Sequence, residues 1–382
     1  MKLHWDLFCS VIDNYGDIGI CWRIARELVA EHGQKVRLWV DDLDSFQHIW
    51  PGVSTELDVQ FCEEVEIRHW VPNMPDVCPA DVVVEAFACR VPDSFLQAMA
   101  VRSPTPVWIN LEYFSAETWV QECHGQASPH PRFALTQYFF IPGLGQGTGG
   151  VPGGRGELAA LLDFQNDCAA VRGYWTVLQL SAEDALHISL FAYENAAVSG
   201  LVSALAQSSQ ASVLLVPEGR VLAQLADCLD VQMLGAGASC QRGELEVRVL
   251  PFMPQDAYDR LLWAADINFV RGEDSFVRAQ HAGKPMVWQP YVQDDGAHQN
   301  KLEAFLRVYA NELTSDAKTA LLAVWRGWNS GGTSPEIWQT WLAHMPEYRE
   351  HALRWAAKLQ TKPNLVEELL NFALVKLPAG KL

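Results

Sequence analysis

The sequence predicts two doubly wound α/β domains in tandem. Two series of strand-like runs alternate with helical patterns, and a glycine-rich stretch lies between them. At 382 residues the chain is also too long for one ordinary core. The first series opens with apolar Leu7, Phe8, Val11 and Ile12, then an amphipathic pattern (Ile20, Trp22, Ile24, Leu28, Val29) that reads as turn and helix. Strand-like runs follow at 35–40, 81–87 and 106–111, with helical patterns at 94–101 and 116–123. Residues 141–156 hold eight glycines and two prolines, too many for a helix or central strand, and read as a long mobile loop. A phosphate-cradling role is weakened there by the lack of a Gly-Lys-Ser/Thr ending.

The second series has strand-like runs at 175–180, 186–190, 212–216, 245–250, 266–270 and 284–289. Its helical patterns are 196–206, 221–229, 257–265, 275–282 and 298–313. From about 317 the pattern is nearly all helical, interrupted by Pro363, with a helix over 365–375 that is expected to cross back to the first domain. The expected boundaries are 1–173, completed by 361–382, and 174–360. Two similar domains of this kind, facing across a cleft, suggest the GT-B glycosyltransferase architecture.

The formal net charge of −18 disfavours nonspecific binding to nucleic acid or an anionic membrane. Nine cysteines without a Cys-x-x-Cys pair suit a reducing cytoplasm and argue against a zinc site or disulfide frame. No apolar run is long enough to span a membrane, and no export signal is visible, so a cytoplasmic location is expected. The late tryptophans (Trp325, Trp328, Trp338, Trp341, Trp355) read as packing.

Four constellations carry chemistry. The first is the turn Asp13-Asn-Tyr-Gly16-Asp17-Ile-Gly19, at the carboxyl end of the first strand, where α/β proteins bind ligands. Asp17 is placed to cap the following helix. Two carboxylates at a helix N-terminus repel a phosphate; they hold a cation or serve as a base. Asn14-Tyr-Gly16-Asp-Ile-Gly19 matches the last two glycines of a dinucleotide fingerprint, and Asp41 ends the second strand-like run. Asn14 replaces the first glycine, however, and Asp17 would face the pyrophosphate, which counts against a dinucleotide.

The second is Phe269-Val-Arg271-Gly272-Glu273-Asp274-Ser275, where an apolar strand turns into a helix. Backbone N–H groups and the Ser275 hydroxyl can hold a diphosphate there, and Arg271 can neutralise it. Glu273 can hold sugar hydroxyls or sit near charge developing at the reacting carbon. The structural alternative makes Asp274 a cap and Arg271–Glu273 a surface ion pair. The third is Pro290-Tyr-Val-Gln293-Asp294-Asp295-Gly-Ala-His298, a polar loop before a helix start, as in many nucleotide-sugar transferases. The fourth is aromatic: Phe191, Tyr193, Phe252 and Tyr258 follow strands, where such rings can sandwich a nucleobase, and Gln255 can read a pyrimidine edge. Asp42-Leu-Asp44 has the form of a divalent-metal motif but reads as helix capping, and the histidines form no ligand cluster in the sequence.

Four segments occur in order: Asp13-Asn-Tyr-Gly-Asp17-Ile-Gly-Ile-Cys-Trp-Arg, Asn110-Leu-Glu112-Tyr-Phe-Ser-Ala-Glu-Thr-Trp, Phe269-Val-Arg-Gly-Glu273-Asp-Ser-Phe-Val-Arg and Gln293-Asp-Asp-Gly-Ala-His298. Together they closely resemble the EarP family of protein-arginine rhamnosyltransferases, over essentially the whole chain. The resemblance implies a GT-B fold, a dTDP-β-L-rhamnose donor and an arginine of translation elongation factor P as acceptor. It further implies inversion at the sugar, no metal or other cofactor, and activation of the factor for ribosomes stalled at polyproline. By resemblance Asp17 is the general base, Asp13 its partner and Glu273 a further essential acid; which of Asp13 and Asp17 takes the proton stays open. The resemblance gives the donor to Asn14, Tyr15, Gly16, Phe191, Tyr193, Phe252, Gln255, Tyr258, Arg271, Asp274 and Ser275, and the acceptor side to Glu112. Phe is expected in relatives where this chain has Tyr258. The alternatives are a GT-B transferase or epimerase acting on another nucleotide sugar, and a module that binds a basic protein without modifying it.

Overall fold

The computed structural model describes residues 1–12, 15–71, 77–181, 185–293 and 296–378. Contacts divide the chain into two compact units, Met1–Gly156 with Lys362–Leu382, and Glu157–Thr361. Among the described residues, no helix is long and apolar enough to cross a membrane.

The first unit is built on strands β1 (His4–Cys9), β2 (Lys35–Val40), β3 (Val59–Cys62), β4 (Val65–His69), β5 (Val82–Ala86), β6 (Val107–Leu111), β7 (Ala127–Pro129) and β8 (Thr136–Phe140). Their order is β3-β4-β2-β1-β5-β6-β8-β7. All neighbours are parallel except the β3–β4 and β7–β8 pairs. The central strands β5 and β6 are buried along their length, as a sheet covered on both faces requires. The chain builds outward through β2 and β4, then returns to build the other half from β5. Its direction therefore reverses between β1 and β5, and a crevice at the carboxyl ends of these strands is the expected ligand site.

Helix α1 (Gly16–Ala30) follows β1 and turns Ile18, Cys21, Trp22, Ala25 and Leu28 inward. The first strand stops at Cys9, short of the apolar Ile12, which is 63% exposed. Helix α2 (Leu43–Ile49) is capped by Asp42, which accepts the Ser45 N–H at 2.9 Å, as the capping reading required. Helix α3 (Asp93–Val101) matches its pattern. The helix expected over 116–123 shrinks to α4 (Val120–Cys123), because Ser115 closes a turn on the N–H of Glu117 instead.

The glycine-rich segment is packed, which corrects the reading of a mobile loop. Gly143 donates its N–H to Gly150 O and Gly149 to Ile141 O. Val151 donates to Pro363 O and accepts from the Leu365 N–H, pinning the returning chain. Gly150 has φ 76°, and a Cβ there would come within 2.5 Å of Pro363 O, so only glycine fits.

The second unit begins with helices α5 (Arg155–Asn166) and α6 (Cys168–Val177). The strand expected at 175–180 is therefore wrong: Asp167 caps α6 by accepting the Ala169 and Ala170 N–H groups, and Trp175 is a helix residue. Its indole is buried and stacks on His187 at 4.2 Å. For this reason residues 157–173, placed in the first domain by the sequence reading, cluster with the second unit.

The second sheet has β9 (Leu186–Leu190), β10 (Ser212–Pro217), β11 (Ser239–Arg242), β12 (Leu245–Leu250), β13 (Ile267–Arg271) and β14 (Met286–Gln289), in the order β11-β12-β10-β9-β13-β14. Only β11 runs antiparallel. The direction of winding reverses between β9 and β13. Helices α7 (Val198–Ala206), α8 (Leu222–Leu229), α9 (Gln255–Ala264), α10 (Asp274–His281) and α11 (Ala297–Tyr309) connect the strands. Helices α12 (Ser315–Ser330), α13 (Pro335–Ala343) and α14 (Met345–Gln360) complete the unit, and all five late tryptophans are buried in it. Helix α15 (Leu365–Lys376) belongs to the first unit, where Phe372 packs on His124, Tyr138 and Phe140.

Candidate active site

In each unit the candidate residues gather at the point where the winding reverses. In the first unit the chain after β1 is tied down before α1 begins. The carboxylate of Asp41, at the end of β2, accepts the Ser10 hydroxyl at 2.5 Å and the Val11 N–H at 2.9 Å. That use of Asp41 leaves the ribose-binding role of a dinucleotide fold without support.

Asp17 sits in the first turn of α1 and is 1% exposed. The cap expected of Asp17 is not found: Tyr15 holds the N-cap position, with no side-chain cap bond. The Asp17 carboxylate accepts the Ile12 N–H on Oδ2 at 2.9 Å and the Tyr113 hydroxyl on Oδ1 at 2.8 Å. Tyr113 follows β6 and stacks flat on Phe87, with ring centroids 4.4 Å apart and planes 7° from parallel. Phe87 follows β5 and takes a left-handed φ of 56°, as does its neighbour Ala88 at 59°. Bulky residues adopt that conformation only where the surroundings enforce it. Three adjacent strands thus deliver Asp17, Phe87 and Tyr113 to one place. Glu112, beside Tyr113, accepts the Asn110 amide at 2.6 Å. Behind the turn, burial pushes the thiols of Cys9 and Cys21 up, so both stay neutral. Tyr15 and Gly16 open α1, whereas Asp13 and Asn14 lie outside the described residues.

In the second unit β9 and β13 are hydrogen-bonded neighbours, so Phe191 and Arg271 leave the sheet side by side. The buried Arg271 guanidinium lies 4.2 Å from the Phe191 ring centroid and 4.6 Å from that of Tyr193. Such cation–π contacts hold a charged group in place with little water. Ser275 closes the turn: its hydroxyl accepts the Arg271 N–H at 3.1 Å and donates to Arg271 O. Phe191 also meets Tyr258 at 5.3 Å. Burial raises the Tyr258 hydroxyl pKa. Gln255 donates to Asp274 at 3.2 Å. Phe252 is held through its N–H by Glu218 at 3.3 Å.

The surface pair Arg271–Glu273 is replaced by a different pairing: Lys301, from α11, meets Glu273 at 2.5 Å. Asp274 begins α10 after Glu273 at the N-cap, where no side-chain cap bond forms. Trp288 donates its indole N–H to Gly272 O at 2.7 Å, and Gln289 accepts the Tyr193 N–H at 3.0 Å. Asp294 and Asp295 lie outside the described residues.

The sequence reading missed Tyr113, Lys301, Trp288 and Gln289 as members of these clusters. Tyr113 lies inside a quoted motif, but its partner is far away in sequence. Among the described residues, one group, Glu27, Glu31 and His32, could gather metal ligands, with atoms within 4.8 Å of one another. The sequence reading has no site there. Glu31 accepts the Arg155 N–H at 3.1 Å and the Gly156 N–H at 2.9 Å.

Two sheets wound in this way are those of the GT-B fold. The solved structure of MurG from Acinetobacter baumannii has the same fold, with a TM-score of 0.51 at 13% identity over 98% of this chain and 100% of that one. The chain belongs to the EarP family: the family model described as "Elongation-Factor P (EF-P) rhamnosyltransferase EarP" matches residues 5–374. A protein-arginine rhamnosyltransferase of Pseudomonas putida is 48% identical over 97% of this chain and 99% of its own. A structure solved for EarP-mediated arginine glycosylation of translation elongation factor EF-P superposes with a TM-score of 0.71 at 37% identity, covering 98% of this chain and all of that one.

Proposed function

We propose that this protein transfers L-rhamnose from dTDP-β-L-rhamnose to the guanidinium of one arginine in translation elongation factor P, inverting the anomeric carbon. Membership of the EarP family supports the acceptor and the sugar. The observation that carries the chemistry is the Asp17 carboxylate, fixed by two donors at the switch point of the first unit.

A guanidinium is charged, with a pKa above about 12, and is a poor nucleophile until it is oriented and relieved of a proton. In this reading Asp17, with Asp13, holds the acceptor fork and takes that proton as nitrogen attacks C1. The C1–oxygen bond to the diphosphate breaks in the same displacement, and dTDP leaves. The Arg271 guanidinium, set between two rings, and the N–H groups at the start of α10 meet the charge of the leaving diphosphate. With Arg271 supplying that charge, no divalent cation or other cofactor is required. Phe191, Phe252, Gln255 and Tyr258 take the thymine, Tyr193, Asp274 and Ser275 the diphosphate side, and Glu273 the sugar. Asn14, Tyr15 and Gly16 also take the donor, and Glu112 the acceptor. The site of action is the cytoplasm, where the modified factor serves ribosomes stalled at polyproline.

The test is to incubate the protein with dTDP-rhamnose and unmodified elongation factor P and read the factor by mass spectrometry. A deoxyhexose increment on one arginine is expected, undiminished by EDTA; no increment with both proteins folded overturns the reading. In a thermal-shift panel of nucleotide sugars, dTDP-rhamnose should stabilise most, since a tighter ligand raises the apparent stability further.

A further inference from the structure

We infer that Tyr113 is a positioning residue for transfer: it acts through Asp17 and makes no contact with substrate. The inference rests on the reading of Asp17 as the base. A carboxylate on one χ1–χ2 arm can rotate, and a base useful to a planar guanidinium must present a fixed plane. Two donors from different parts of the unit set that plane. The Ile12 N–H holds Oδ2 from the turn preceding α1, and the Tyr113 hydroxyl holds Oδ1 from the end of β6.

The phenol is itself fixed. Its ring lies flat on Phe87, whose backbone is held left-handed while its N–H donates to Leu111 O at 2.7 Å. Leu111 ends β6, two residues before Tyr113, so the stack and its anchor close on the same strand end. A bulky residue in that backbone conformation costs free energy that ordinary core packing has no reason to spend. Holding a ring against the carboxylate gives the cost a purpose. The arrangement differs from a helix cap, since the donor to Asp17 comes from another strand.

The experiment compares Tyr113→Phe with Asp17→Asn in single-turnover and steady-state transfer. Phenylalanine keeps the stack and removes only the donor. The expected result is a fall in kcat of about tenfold or more, as for a displaced catalytic group. KM for both substrates should stay within about threefold, so that kcat and kcat/KM fall together. The melting temperature should move little. Unchanged kcat in Tyr113→Phe, with transfer lost in Asp17→Asn, overturns the role of Tyr113 alone. Full activity in Asp17→Asn overturns the base itself, whatever Tyr113→Phe does. A rise in KM without a fall in kcat makes Tyr113 a substrate contact and also overturns the inference. Should Tyr113→Phe fail to fold, Phe87→Leu tests the same link: it keeps the hydroxyl, loosens its support, and should lower kcat at unchanged KM.

Discussion

A carboxylate buried beside a lysine is a risk to the fold as well as a tool. Glu273 and Lys301 are both mostly covered, and the lysine comes from a different helix. Lys301→Met removes one counter-charge from beside the acid. That should cost about 2 kcal/mol, less than the loss seen for fully buried pairs because some solvent still reaches this one. The double variant Lys301→Met/Glu273→Gln should recover much of the loss, since an uncharged amide needs no counter-ion. Thermal denaturation of the three proteins checks the order. Lys301→Met should also transfer poorly, whatever its stability. Reading along the chain reached Asp17, Glu273 and Arg271 because each stands at a strand end in a local pattern with its own chemistry. It missed Tyr113 and Lys301 because their meaning lies in partners brought close only by the sheet and the crossover helices. Asp17, placed by its pattern either to cap α1 or to serve as a base, accepts from the turn before its helix and from the end of β6.

The elements divide along the same line. Fully buried parallel strands such as β5, β6 and β13 are visible as apolar runs. The short hairpin strands β3 and β4, with left-handed turn residues Glu63 and Glu64, carry too few apolar positions to stand out. The segment holding Trp175 reads as a strand because Trp, Thr, Val and Leu favour one, and the cap at Asp167 decides otherwise. Glycine content marks residues 141–156 as irregular, but composition alone does not say whether irregular backbone is loose or tightly packed. Two substitutions separate these meanings. Gly147 has φ 72° and open space around it, so Gly147→Ala should cost only about 1 kcal/mol of left-handed strain. Gly150→Ala adds a backbone clash with Pro363 and should cost several-fold more, while loosening α15. Hydrogen exchange on α15 and melting curves distinguish the two variants.

At the scale of the whole molecule, stability carries a pH signature from one buried acid. Glu85, in β5, accepts the Val91 N–H at 2.8 Å and the Gln137 amide, yet burial pushes its carboxyl up to about 7. The folded state therefore holds a proton that the unfolded chain has released near its ordinary value of 4.5. Stability from this group is complete at acid pH and is lost as pH rises through about 7. Buried His187 and His351, held neutral by burial, act in the opposite sense and lose stability on acidification. Comparing wild type with Glu85→Gln cancels the histidines: the variant should gain relative to wild type as pH is raised from 5 to 8.5, read as the difference in melting temperature.

The bridge between Val151 and the chain around Asn364 also has a consequence in time. A ribosome makes this protein from its amino end, and the first unit's central strands emerge early. The face of β8 that Phe372 covers must wait for more than two hundred further residues, because α15 is made only after the whole of Glu157–Thr361. The first unit thus receives its closing helix last of all. A chain truncated after residue 361 would carry a complete second unit and a first unit with an open apolar seam, a natural foothold for a chaperone.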